Sequence, residues 1–204
     1  MDSIATQIIL MIVPVLFSIT VHEVSHGYAA YRFGDPTAKL AGRLSLNPIK
    51  HIDVVGLLVL FITRMIGWAK PVPVNPRYFA NPRKDMIWVS LAGPASNLAL
   101  AVICALIFRL FGGSLTSSFL YPLAYMIQIM ILINVGLAIF NLIPIPPLDG
   151  SHIIEGLLPP DLAAAYAKIH PYGFIILLVL IFTRVVEYLI VPIIRTIVNV
   201  LLTL

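Results

Sequence analysis

The stretch "IATQIILMIVPVLFSITVHEVSHGYAAY" (residues 4–31) decides how this chain is read. Its first part, Ile4 to Val21, is 18 residues without a charge, enough for a helix to cross most of a hydrocarbon core about 30 Å thick. The helical pattern continues through His22, Glu23 and His26 to Tyr31, just before Arg32. Ionisable groups at membrane depth are expensive, so a spanning helix that carries three of them marks a functional site.

The rest of the chain agrees. Of 204 residues, 60% are hydrophobic and 11% charged, against about 25% charged in soluble domains. Mean hydropathy is +1.00. This composition predicts an all-α polytopic membrane protein, a single integral membrane domain over residues 1–204, with five to six transmembrane helices. Met86 to Phe108 is a second uncharged stretch. Leu110 to Leu148 is a third, with a span from about Phe119 to Ile143. Gly112, Gly113 and the Ser/Thr cluster at 114–118 read as the turn between them. Pro171 to Thr183 begins a further span, and the tail from Tyr188 to Leu204 a shorter one. A cleaved signal peptide is not expected, since no basic segment precedes Ile4. Cys104, alone in an apolar segment, reads as a small packed hydrophobe.

Val54 to Thr63 is too short to cross, and "WAKPVPVNP" (68–76) alternates Pro with Val, which favours extended backbone. Residues 52–80 are expected to form a re-entrant or β-hairpin segment at the mouth of a site. Arg32, Lys39, Arg43, Lys50, Arg64, Lys70, Arg77, Arg83 and Lys84 fall between the first and second clear spans, whereas 112–118 carries no charge. This bias orients that region, and the HEVSH end of the first helix, toward the cytoplasm of a multi-pass cell-membrane protein, plasma or inner. The basic residues form no stripe, so the net charge of +4 implies no nucleic-acid partner.

His22 and His26, four residues apart, project from one helix face at the spacing that lets two imidazoles meet one tetrahedral zinc ion. In H-E-x-x-H sites the glutamate, here Glu23, is the general base. A catalytic zinc takes a third protein ligand, and Asp149, Glu155, His51, His152 and His170 are the candidates. Asp149 stands out because Pro144, Pro146 and Pro147 break the arriving helix, while Gly150 permits close backbone approach beside the carboxylate. His152 is the alternative ligand. Asn97, beside Gly93, Ala95 and Ser96, reads chiefly as interhelical glue, with a hydrogen bond at the site as the other reading. His51 reads as a residue shaping the entrance, and Arg109, Arg184 and Arg195 as snorkelling side chains.

HEVSHG in a first long helix, "LAGPASN" at 91–97 and "NLIPIPPLDG" at 141–150 together resemble the site-2 protease family of intramembrane zinc metalloproteases. The similarity spans residues 15–157, and "NPIKHID" at 47–53 is similar to a motif of the compact prokaryotic branch without PDZ or CBS domains. The resemblance implies one Zn2+ held by His22, His26 and Asp149, with Glu23 as catalytic base. It assigns Asn141 to the substrate backbone or the developing oxyanion. The implied partners are a transmembrane protein substrate and the lipid bilayer; the oligomeric state is not implied. Two other classes compete: a membrane zinc or proton transporter, and a non-proteolytic membrane-protein binder. A transporter usually shows further ligands along a path or an inverted repeat, and neither is visible. A non-proteolytic descendant would most simply have lost Glu23 or a ligand.

Overall fold

A computed structural model describes residues 4–56, 58, 68–115 and 120–203. Among these residues every regular element is helical. The first, α1 (Ile4–Arg32), contains Pro14 and runs unbroken through the HEVSH motif. After α2 (Thr37–Leu40) and two single-turn 3-10 helices (Pro48–His51 and Pro76–Tyr78) come α3 (Pro82–Leu115) and α4 (Tyr121–Asn141). They are followed by α5 (Asp149–Leu157), α6 (Pro160–Ala167), α7 (His170–Phe182) and α8 (Val185–Thr203).

Four of these helices, α1, α3, α4 and α8, are long and apolar enough to cross a membrane. The pair α6 and α7, bent by 66° at a short break, makes a fifth if counted as one span. The chain is therefore a polytopic all-helical membrane protein, with the tail from Val185 a candidate span in full. Arg184 separates α7 from α8 with φ of 59°, a left-handed conformation that stops the helix.

The long α3 is the centre of the molecule and packs against α1, α4, α5 and α8. Its contact face is built of small and medium residues one turn apart: Val89, Gly93, Asn97, Ala101 and then Cys104 with Ala105, all buried. Lipid exerts little hydrophobic force between helices, so close approach through small residues is what lets dispersion hold them together. Opposite this face α4 presents Ala124, Ile127, Ile131, Asn134 and Ala138, spaced alternately three and four apart, with Val135 beside them, so that they form one stripe.

The helix α3 passes through Gly112 and Gly113 and ends at Leu115, so the expected turn does not start at the glycines. Residues 116–119 lie outside the described residues. Glycine is well tolerated in spanning helices, where no water competes for the backbone. As expected, α4 ends before the proline cluster: it stops at Asn141, and Pro144, Pro146 and Pro147 occupy the irregular run to α5.

Of the segment expected to fold back near 52–80, residues 57 and 59–67 lie outside the described residues. Its two ends meet. Ile52 pairs with Ala69 in an antiparallel bridge, and the Lys70 N–H donates to the His51 carbonyl at 2.9 Å. The Arg43 guanidinium fastens this closure through the Lys70 carbonyl at 2.6 Å. His51, 2% exposed, donates from Nε2 to the Ser45 carbonyl, so its place is in the packing of this junction.

Candidate metal centre

Residues 22 and 26 are one turn apart on α1, and their buried imidazoles face α3. Each Nδ1 has an oxygen acceptor there. His22 Nδ1 donates to Asn97 Oδ1 at 2.6 Å, and His26 Nδ1 donates to the Val89 carbonyl at 2.7 Å.

These bonds determine the chemistry of the other ring nitrogens. A neutral imidazole carries one proton, so with both Nδ1 atoms donating, both Nε2 atoms present lone pairs. The two Nε2 atoms nevertheless stand 2.9 Å apart. That approach cannot be a hydrogen bond between neutral rings in these tautomers.

The third group comes from the far side of the proline run. Asp149 opens α5, where the helix dipole favours an anion, and its Oδ2 lies 3.2 Å from His22 Nε2 and 3.3 Å from His26 Nε2. Although buried, this oxygen accepts no hydrogen bond. Gly150 makes the placement possible: a Cβ there would come within 2.4 Å of the Leu142 carbonyl oxygen and 2.5 Å of that of Ile143. Only glycine lets the chain fold back so tightly against the end of α4.

Three lone-pair donors thus converge without a proton between them, a set that calls for a cation. A tetrahedral ion bound at roughly 2.0–2.1 Å has ligand-to-ligand edges of about 3.3 Å, close to the separations found here. His22, His26 and Asp149 are the group among the described residues that could hold a metal ion, their ligand atoms all lying within 4.8 Å of one another. Nitrogen and carboxylate donors in this number suit zinc and leave one tetrahedral position open.

Glu23, next to His22, turns its carboxylate toward the Pro-Val segment, where Oε2 accepts from the Val72 backbone N–H at 2.8 Å. The same segment is held again at Asn75, whose N–H donates at 2.6 Å to Asp35, a fully buried carboxylate just beyond α1. Gly27 completes the fit, since a Cβ there would come within 2.8 Å of the Val72 side chain.

Among the other residues singled out in the sequence, Asn141 donates from Nδ2 back to the Leu137 carbonyl of its own helix at 3.0 Å. Its amide is not joined to the three converging groups. His152 stacks edge-on with His170, ring centroids 5.9 Å apart, and His170 Nε2 is 3.1 Å from Glu155 Oε2; none of the three belongs to the metal-type group. Asn97, expected chiefly as glue between helices, touches His22 directly. Gly93 also has a use that packing alone does not describe: a Cβ there would lie 2.3 Å from His26 Nε2 and 2.6 Å from His22 Cε1. The imidazoles occupy the space that Gly93 leaves.

A bundle of membrane helices enclosing a His-His-Asp centre beside a glutamate is the arrangement of a membrane-embedded metallopeptidase. Comparison with known proteins agrees. The model of peptidase family M50 matches residues 10–129 and 119–182. The chain is 43% identical over 185 residues to YwhC of Bacillus subtilis, which is named as a candidate zinc metalloprotease, covering 89% of this chain and 84% of that protein. It is 36% identical over 179 residues to Rip2 of Mycolicibacterium smegmatis, named likewise, covering 86% and 67%. A more distant match, 23% identical over 141 residues, is the zinc metalloprotease MJ0392 of Methanocaldococcus jannaschii, of which 32% is covered. No solved structure matches the chain. This chain belongs to peptidase family M50, the site-2 protease family.

Proposed function

We propose that this protein is an intramembrane zinc metalloprotease that hydrolyses peptide bonds within or near the transmembrane segments of membrane-protein substrates. The observation that carries the reading is the convergence of His22 Nε2, His26 Nε2 and Asp149 Oδ2 while both Nδ1 atoms are bound to oxygen acceptors. His22, His26 and Asp149 would hold one zinc ion, which when bound would supply Lewis-acid polarisation of the scissile carbonyl and a water nucleophile near neutral pH.

The remaining steps belong to side chains. Glu23 takes a proton from the attacking water as its oxygen adds to the carbonyl carbon, and delivers a proton to the amine nitrogen as the C–N bond breaks. The Val72 N–H orients Glu23 for both transfers; a carboxylate has two oxygens, so one accepted bond leaves acceptor capacity. Asn141 is assigned to the substrate backbone or oxyanion, a role that requires its amide to leave the Leu137 carbonyl.

A substrate helix hides its peptide bonds in its own hydrogen bonds, so it must unwind before cleavage. The Pro-Val segment beside Glu23, whose sequence favours extended backbone, is suited to hold the unwound chain by strand addition. The Lys/Arg distribution supports a cell-membrane location with the centre toward the cytoplasmic side. Co-expression of a single-span substrate with wild type and with Glu23→Gln tests the proposal. Cleavage is expected to disappear in the variant while zinc is retained; unchanged processing overturns the assignment.

A further inference from the structure

Behind the metal-type centre lies a buried chain of amides that the proposed reaction does not use. Asn134 of α4 and Asn97 of α3 are both fully buried. Asn134 Oδ1 accepts from Asn97 Nδ2 at 2.7 Å, and Asn97 Nδ2 also donates to the Ser18 carbonyl of α1 at 3.2 Å. Asn134 Nδ2 donates to the Ser18 hydroxyl at 2.7 Å and to the Met130 carbonyl at 2.8 Å. All four amide protons and both amide oxygens are used.

The direction of this chain is not arbitrary. A backbone carbonyl can only accept, so the Met130 carbonyl requires that the NH2 end of Asn134 face it. The oxygen of Asn134 must then face Asn97, which sets Asn97 with its NH2 toward Asn134 and its oxygen toward His22. His22 must in turn donate from Nδ1, leaving Nε2 as the lone pair. Turning either amide over would press oxygen against oxygen or NH2 against N–H at under 3 Å, an arrangement with no compensating partner inside a membrane bundle. The Ser18 carbonyl alone, at 3.2 Å, is the longest contact in the set and a weak anchor for Asn97.

We propose that Asn134 is a positioning residue for the metal centre: through Asn97 it fixes the tautomer and ring orientation of His22, and so sets metal affinity without touching the metal. The proposal rests on the zinc-protease reading. Outer partners of a ligating histidine hold its ring and raise its basicity, and their loss typically lowers affinity 10- to 100-fold.

The test is zinc affinity of the purified, detergent-solubilised full chain, by competition with a chromophoric chelator, with helical content checked by circular dichroism. Asn134→Leu is expected to bind zinc at least about 10-fold more weakly. Asn134→Asp, which burial in the bundle keeps in the neutral acid form, leaves its carbonyl oxygen facing Asn97 and its O–H free to donate to the Met130 carbonyl, and should stay within about 3-fold of wild type. Ile131→Ala, an equally buried cavity on the same face of α4, loosens packing but spares the amides and should also stay within about 3-fold. Equal losses in Ile131→Ala and Asn134→Leu overturn the proposal by showing a packing role, as does wild-type affinity in Asn134→Leu. If Asn134→Leu is not recovered folded, the Asn134→Asp result decides, a tenfold loss overturning the proposal. Wild-type protein that takes up no zinc overturns the protease reading and this proposal with it, whereas zinc uptake unaltered in Asn134→Leu overturns this proposal alone.

Discussion

Gly93 lies so close to His26 that a Cβ on it would stand 2.3 Å from the ring Nε2. The imidazole cannot retreat freely, because its Nδ1 is bound to the Val89 carbonyl of the same helix. Gly93→Ala is therefore expected to displace both histidines and lower zinc affinity by at least about 10-fold, with helical content preserved. Zinc stoichiometry after purification, beside circular dichroism, checks this.

Two further glycines give a contrast. Gly150→Ala would push a methyl group against the backbone carbonyls of Leu142 and Ile143, atoms that cannot swing aside, and should move Asp149 out of reach of the histidines. In Gly112→Ala, the nearest atom among the described residues that the Cβ would meet belongs to the Phe108 ring, at 3.9 Å. Substrate cleavage in membranes should vanish in the first variant and stay within about twofold of wild type in the second.

Val72→Pro removes the N–H that Glu23 accepts while asking little of the backbone, since the residue already lies between Pro71 and Pro73. A hydrogen bond to a charged group is worth about 1.5–3 kcal/mol, so loss of its orienting effect should slow cleavage about 10-fold or more. Zinc content should not change. Loss of zinc together with activity would show that the segment supports the ligands rather than the base.

Asp35 accepts from the Thr37 N–H at 2.9 Å, from the Thr37 hydroxyl, and from the Asn75 N–H. An amide has only one acceptor oxygen, so Asp35→Asn sets NH2 against N–H on one side whichever way it turns. A stability loss of about 1–3 kcal/mol is expected. Hydrogen exchange at the Asn75 amide should accelerate with it, because that bond anchors the Pro-Val segment to the end of α1.

The parts of the site that could be read from sequence are those governed by local rules. Spacing of four places His22 and His26 on one helical face, and three prolines followed by Asp-Gly announce a helix break carrying a carboxylate. What escaped was set by contacts between distant segments. Gly93 and Asn97 were visible as a small-residue motif, but the same residues serve close helix packing and direct contact with imidazoles, and sequence does not separate the two. Asn134 does carry a sequence signal: with Gln128 and Asn141 it is one of three carboxamides in the uncharged stretch 110–148, where a polar group needs partners. The end of α3 is not legible because Gly112 and Gly113, which break helices in water, are carried within a spanning helix that runs on to Leu115. The hold of Val72 on Glu23 has no local trace at all, since nothing near either residue specifies the other.

The acidic corner of the triad is made late, in the last third of the chain, long after both histidines. A ribosome that has threaded the first helix into the bilayer has delivered no hydrolytic centre. One arises only when the span ending at Asn141 is inserted and the proline turn swings Asp149 back. Latency during biogenesis follows from the order of translation itself.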